Sequence, residues 1–187
     1  IQHAPDGLRE FLISLGYFFY LIMSPMLLLL SSLQIYFFSK RVDLAEDKLS
    51  LTFLNINTYN ERKNINDSLS AALWTFDDRS HIRFIIKTYD AINSWWLNIF
   101  VLMRILSHLR GLKIAHHPDV FLILNQLKDQ ELTSLIDLSD VFINSSRGEG
   151  IGGGLLLSMS RSKPCVTHLF SSIKDFCDSK NSYVYDY

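Results

Sequence analysis

Residues Leu138–Thr167 read LSDVFINSSRGEGIGGGLLLSMSRSKPCVT. A short apolar run, Val141–Asn144, meets the stretch SSRGEGIGGG from Ser145 to Gly154, and the chain then turns apolar again over Leu155–Met159. Five of the ten residues Ser145–Gly154 are glycine. This pattern predicts a strand, a turn and a helix. Glycine accepts positive φ and lets the main chain approach a ligand, and a helix start offers free N–H groups with a partial positive charge. An anion is the natural guest of such a turn, and a diphosphate would fit. Glycine content alone is shared with flexible loops, and neither a Walker nor a dinucleotide spacing is present. Glu149 sharpens the reading. It is the single carboxylate of the turn, placed to accept hydrogen bonds from sugar hydroxyls; the competing reading makes it an ordinary helix-start carboxylate.

Upstream, short apolar runs alternate with helical stretches. Strands are expected at Leu51–Ile56, Ile82–Lys87, Val120–Leu124 and Val141–Asn144, with a further one in the KPCVT run around Cys165. Helices are expected at Ile65–Trp74, Ala91–Leu109 and Asp129–Leu138. Gly111 is the expected cap of the second of these, and its Trp95, Trp96 and Phe100 are expected in the core. This rhythm predicts an α/β fold: a Rossmann-like parallel sheet with helices on both faces. Asn57–Asn64, NTYNERKN, places Arg62 and Lys63 in the turn after the first strand. That turn lies at the carboxyl edge of the sheet, where open α/β folds bind ligands and where cations offset diphosphate charge. Read alone, the two are a solvated charge pair; what favours function is that both turns should converge on one edge.

A length of 187 residues suits one such domain. With 18 basic and 19 acidic residues the formal net charge is −1, so no overall field gathers nucleic acid or an anionic membrane. Cys165 and Cys177 match no zinc pairing and read as free thiols of a reducing, cytoplasmic compartment. His116, His117 and Asp119 resemble a ligand cluster, but adjacent loop histidines diverge, and a strand-entry turn is the better reading. Ser145 and Ser146 lack the elbow of a hydrolase nucleophile. Asp137 and Asp140 read as a helix end and a cap.

Phe11–Phe38 contains no Asp, Glu, Lys, Arg or His, which passes the length test for a membrane-spanning helix. Gly16 and Ser24-Pro25 divide it into halves of core-helix length. Residues 1–50 are therefore expected as an apolar helical segment that crosses or lies against a membrane or packs on a partner domain. Residues 51–187 form the α/β domain. The first residue, Ile1, and the strand-like end at Tyr187 suggest a piece of something longer.

Together, NTYNERKN, FIIKTYD (Phe84–Asp90), the stretch LSDVFINSSRGEGIGGGLLLSMSRSKPCVTHLFSSIKDF (Leu138–Phe176) and the final NSYVYDY resemble the C-terminal, nucleotide-sugar-binding domain of family 4 type GT-B glycosyltransferases. The resemblance covers roughly Leu51–Tyr187, and the opening HAPDG (His3–Gly7) echoes the turn that starts this domain in the family. It implies transfer of a sugar from a nucleotide-sugar donor with retention of configuration and without an essential metal or other cofactor. It also implies an N-terminal GT-B domain as partner, with a glycan, lipid or protein as acceptor. By matching position, Arg62 and Lys63 would hold the donor diphosphate. Glu149, the catalytic candidate, and the amides of Gly150, Gly152 and Gly153 would face the donor sugar. Where the family carries a second glutamate on the ribose hydroxyls, this chain has Leu157, and the family's proline after the glycine pair is Gly154. Ser158, Ser160 and Arg161 replace small residues of the next helix. Weak donor binding is the expectation, and a membrane-associated remnant without catalysis is the alternative. A phosphate-binding module of another class is a third reading.

Overall fold

The computed structural model describes residues 35–37, 50–77, 81–89, 95–114, 118–124 and 126–186. The chain divides into two compact units, Ile1–Tyr36 and Phe37–Tyr187. A three-residue strand, Ile35–Phe37, stands at that division. Its Ile-Tyr-Phe triplet is extended where the apolar run was expected to be helical, in keeping with the preference of β-branched and aromatic residues for strands. The rest of the apolar run lies outside the described residues. So does the HAPDG turn. No helix among the described residues is long and apolar enough to cross a membrane.

The second unit is built from strands β1 (Leu51–Ile56), β2 (Ile82–Lys87), β3 (Asp119–Ile123), β4 (Val141–Ile143), β5 (Cys165–Thr167) and β6 (Tyr183–Val184). Helices α1 (Ile65–Thr75), α2 (Trp95–Leu112), α3 (Asp129–Leu138) and α4 (Gly153–Ser160) connect them. All neighbouring pairs are parallel, in the order β3-β2-β1-β4-β5-β6. Alternation along the strands divides their side chains between two faces. Leu54, Ile85, Phe142 and Cys165 join Leu135 and Ile136 of α3 and Leu155 of α4 in one buried cluster. On the opposite face Phe84, Ile143 and Val166 share a cavity with Ala71, Ala72 and Thr75 of α1. Helices therefore cover both faces, as the rhythm of the sequence requires.

Two expectations for α2 are corrected. The helix runs through Gly111 to Leu112, and Lys113, at φ 51°, takes the left-handed conformation that ends it. Phe100 is 60% exposed; the buried face is Val101, Leu102, Ile105, Leu106 and Leu109, a helical stripe from which Phe100 is rotated away. Residues 91–94, where this helix was expected to start, lie outside the described residues.

The sequence order reverses between β1 and β4, so the connections leaving their carboxyl ends part to opposite sides. A crevice opens there, at the position where doubly wound sheets bind ligands. The two turns bordering it are Asn57–Asn64 and Asn144–Gly152.

Candidate functional site

The turn after β1 is preorganised by its own polar residues. Asn60 caps a single 3-10 turn, Glu61–Lys63, by accepting from the Lys63 amide, and Asn64 then takes φ 52° before α1 begins. This presents Lys63 towards the crevice. The turn after β4 is tied to it: the Arg147 amide donates to the Arg62 carbonyl at 2.7 Å, and Ser145 Oγ donates to the Lys63 carbonyl at 2.8 Å. Ser145 in turn accepts from Asn55 Nδ2 at 2.9 Å, and Asn55 Oδ1 accepts from Asn57 Nδ2 at 3.0 Å. On the far side His168, after β5, bonds through Nε2 to the Ser146 carbonyl, and Ser172 Oγ donates to the Glu149 carbonyl at 3.2 Å.

Two charged groups 86 positions apart in sequence meet as a result. Lys63 Nζ forms an ion pair with Glu149 Oε1, with side chains 13% and 11% exposed respectively. Arg62 lies 4.0 Å from the other Glu149 oxygen and donates to the Gly148 carbonyl; its side chain is half exposed at the rim. Of the residues expected in the site, Lys63, Glu149, Gly152, Gly153 and Leu157 line one cavity of about 260 Å³, along with Asn57, Tyr89 and Asn144. Arg62 and Gly150 do not line it; Arg62 reaches it only through its 4.0 Å approach to Glu149.

Gly152 is the residue before α4 and has φ 73°. A Cβ there would meet Ile173 Cδ1 at 2.7 Å. The backbone conformation favours glycine, and an added Cβ would also have to displace the end of the buried Ile173 side chain. Gly152→Val is expected to cost about 2 kcal/mol, readable as a lower midpoint in urea unfolding.

Lys87 ends β2, and its register partner in β1, Ile56, lines the same cavity. Lys87 is only 2% exposed, and burial pushes its ammonium down to about 8. Its Nζ stands 3.8 Å from the centroid of the Tyr89 ring. Sequence reading passed over this lysine, as it did Asn55, Asn57 and Asn144. The available signal was a polar residue at the carboxyl end of an otherwise apolar strand, a position that burial disfavours unless a contact compensates.

The remaining candidates have structural places. Asp140 Oδ2 accepts from the Thr52 amide at 2.7 Å, and Asp137 pairs with Arg161, whose guanidinium holds that carboxyl below its usual range. Asp119 opens β3, while His116 and His117 lie outside the described residues. Cys165 and Cys177 are free and buried, and burial raises the Cys165 thiol to about 12. No cluster of three metal-ligating side chains occurs among the described residues. A larger cavity of about 360 Å³ lies on the α1 face of the sheet, but its lining is mostly apolar and the cations do not converge there.

This fold is that of one half of a GT-B glycosyltransferase, and enzymes of that class are among the solved structures that match it. Among them are three proteins of known source. A trehalose-6-phosphate protein from E. coli, bound with UDP-2-fluoro glucose, has a TM-score of 0.59 at 10% identity, over 76% of this chain and 34% of that one. A UDP-forming trehalose-phosphate synthase from Burkholderia xenovorans has a TM-score of 0.58 at 8% identity, over 74% and 34%. The C-terminal domain of a glycosyl transferase group 1 family protein from Francisella tularensis has a TM-score of 0.55 at 16% identity, over 83% and 78%. At these identities the likeness is one of fold. The matched region is about a third of the length of the trehalose-phosphate synthases. No family model matches the chain, and no curated protein does.

Proposed function

We propose that this chain is the donor-binding half of a retaining glycosyltransferase that takes a hexose from a nucleotide-diphosphate sugar. The observation that carries this reading is the meeting of Lys63 and Glu149 across the switch-point crevice, beside the amides that open α4. Lys63, with Arg62 at the rim, supplies positive charge where a leaving diphosphate gains negative charge. The Gly152 and Gly153 segment adds the N-terminal field of α4, with Gly150 two residues before it. Glu149, held by Lys63 until a phosphate takes its place, then faces the donor sugar as a hydrogen-bond acceptor. This cation and amide set handles diphosphate charge without an essential metal or other cofactor. Similar structures support it: one holds UDP-2-fluoro glucose, and another is described in terms of glycosyl transfer with retention.

Transfer requires a second GT-B domain facing this rim, which would exclude water and align the glycan, lipid or protein acceptor with the donor. The reading places the work in the cytoplasm, with the apolar residues 11–38 as contact to a membrane or to that second domain. Alone, the chain is expected to bind donor without transferring it.

Leu157 favours a second reading, a remnant that keeps the fold without the donor. It lines the cavity with an apolar side chain where the resemblance implies a carboxylate on the ribose. Calorimetric titration with a panel of UDP- and GDP-sugars separates the two. The donor reading predicts measurable binding that Leu157→Glu tightens by about tenfold or more, through two added hydrogen bonds. Silence across the panel from both the natural chain and Leu157→Glu supports the remnant.

A further inference from the structure

Lys87 has no role in the reading above, and its surroundings are unusual for a lysine. In the β1–β2 register it pairs with Ile56, and the two side chains share a face of the sheet. Ile56 lines the cavity that also holds Lys63 and Glu149, and so does Tyr89. The Asn57 amide donates to the Lys87 carbonyl and the Tyr59 amide to the Tyr89 carbonyl, each at 3.0 Å, so the strand pairing continues as a ledge under the cavity. Lys87 is 2% exposed, and its Nζ lies against the Tyr89 ring. Among the described residues no carboxylate forms an ion pair with it.

An aromatic face steadies an ammonium without neutralising it. A buried cation that keeps its charge behind residues lining a cavity, here Ile56 and Tyr89, gains from an anion that reaches it there. Lys63 is different, because Glu149 already balances it. The tyrosine thus holds a charge in reserve on the side of the crevice away from α4.

We infer that Lys87, carried on the Tyr89 ring, is a second phosphate-binding cation of this site, contacting a phosphate oxygen of the ligand from the β2 side. This rests on the donor-site reading, since it presumes that a phosphate enters the cavity. Lys63 lies on one turn and Lys87 on the strand next to it, so a diphosphate is held from two sides, and a ligand without phosphate gains nothing from Lys87.

The test is calorimetric titration of the full 187-residue chain with inorganic pyrophosphate, UDP and uridine. The proteins compared are the natural chain, Lys87→Met, Lys87→Gln, Lys87→Arg and Lys63→Met, each checked for native circular dichroism. Removing a buried cation that no described carboxylate pairs with relieves the fold, and Lys87→Gln supplies a second neutral side chain of similar length. Lys87→Met and Lys87→Gln are expected to lose about tenfold in affinity for pyrophosphate and UDP. Lys87→Arg should retain most of the affinity, and uridine should be unaffected throughout. Natural-chain affinity for both phosphates in Lys87→Met, alongside a loss in Lys63→Met, overturns the role of Lys87 and leaves the donor site standing. If the natural chain binds neither phosphate ligand, the inference and the donor-site reading fall together.

Discussion

Lys63→Ala is expected to weaken binding of a nucleotide sugar by roughly a hundredfold, the value of a charge-assisted contact of about 2–3 kcal/mol. The loss has two parts. One is the missing cation. The other is Glu149, which is 11% exposed and would be left as an uncompensated carboxylate facing the incoming diphosphate. The two substitutions should therefore be strongly non-additive. Lys63→Ala combined with Glu149→Gln is expected to bind about tenfold more tightly than Lys63→Ala alone, because the repelling charge is gone. Arg62→Ala, from a side chain 54% exposed, should cost far less. Titration of these variants with UDP-glucose checks the cycle. Strict additivity would place Lys63 and Glu149 in separate roles.

Lys87→Met is expected to stabilise the fold while it weakens phosphate binding. The lysine moves from an ordinary value of 10.5 to about 8 on burial, and desolvation is the cause. That shift corresponds to about 3 kcal/mol, as an upper bound, at 1.36 kcal/mol per unit. The sign follows from proton counting. Below pH 8 both states carry the charge and the folded state bears the whole desolvation penalty. Between about 8 and 10.5 the folded state has released its proton and the unfolded chain still holds one, so stability rises with pH. Above 10.5 the penalty is absent. Urea unfolding at several pH values should show the natural chain gaining stability across that window. Lys87→Met should be more stable at pH 7 and lack this rise. A loss of stability in Lys87→Met at pH 7 would mean that the contact with Tyr89 outweighs the cost of burial.

The parts of the site legible in the sequence were those whose chemistry is local. A run of glycines before an apolar helix announces a turn with exposed amides whatever surrounds it, and Arg62-Lys63 before Ile65 announces a basic turn. Strand and helix positions were equally local: β1, β2 and α3 have the expected ends, because apolar periodicity set them. What pairs across the sheet is not local. Nothing in the strand LTFLNI says that Asn55 reaches Ser145, a residue 90 positions away, or that Lys63 meets Glu149. Only the order β2-β1-β4 brings these groups together. The end of α2 was misplaced for a related reason: glycine is the usual left-handed cap, but here Gly111 stays helical and Lys113 takes the turn. Phe100 was misplaced because one face of a helix with apolar residues nearly all round is chosen by its neighbours.

The central claim is that a nucleotide sugar seats between the turns that follow β1 and β4. Its most direct test is an NMR titration of the labelled chain with UDP-glucose, following backbone amides. The expected result is saturable shifts at Lys63, Glu149, Gly150, Gly152 and Gly153, with Ala71, Thr75 and Val166 of the opposite cavity unmoved. Shifts confined to that opposite cavity, or none at saturating ligand, would contradict it.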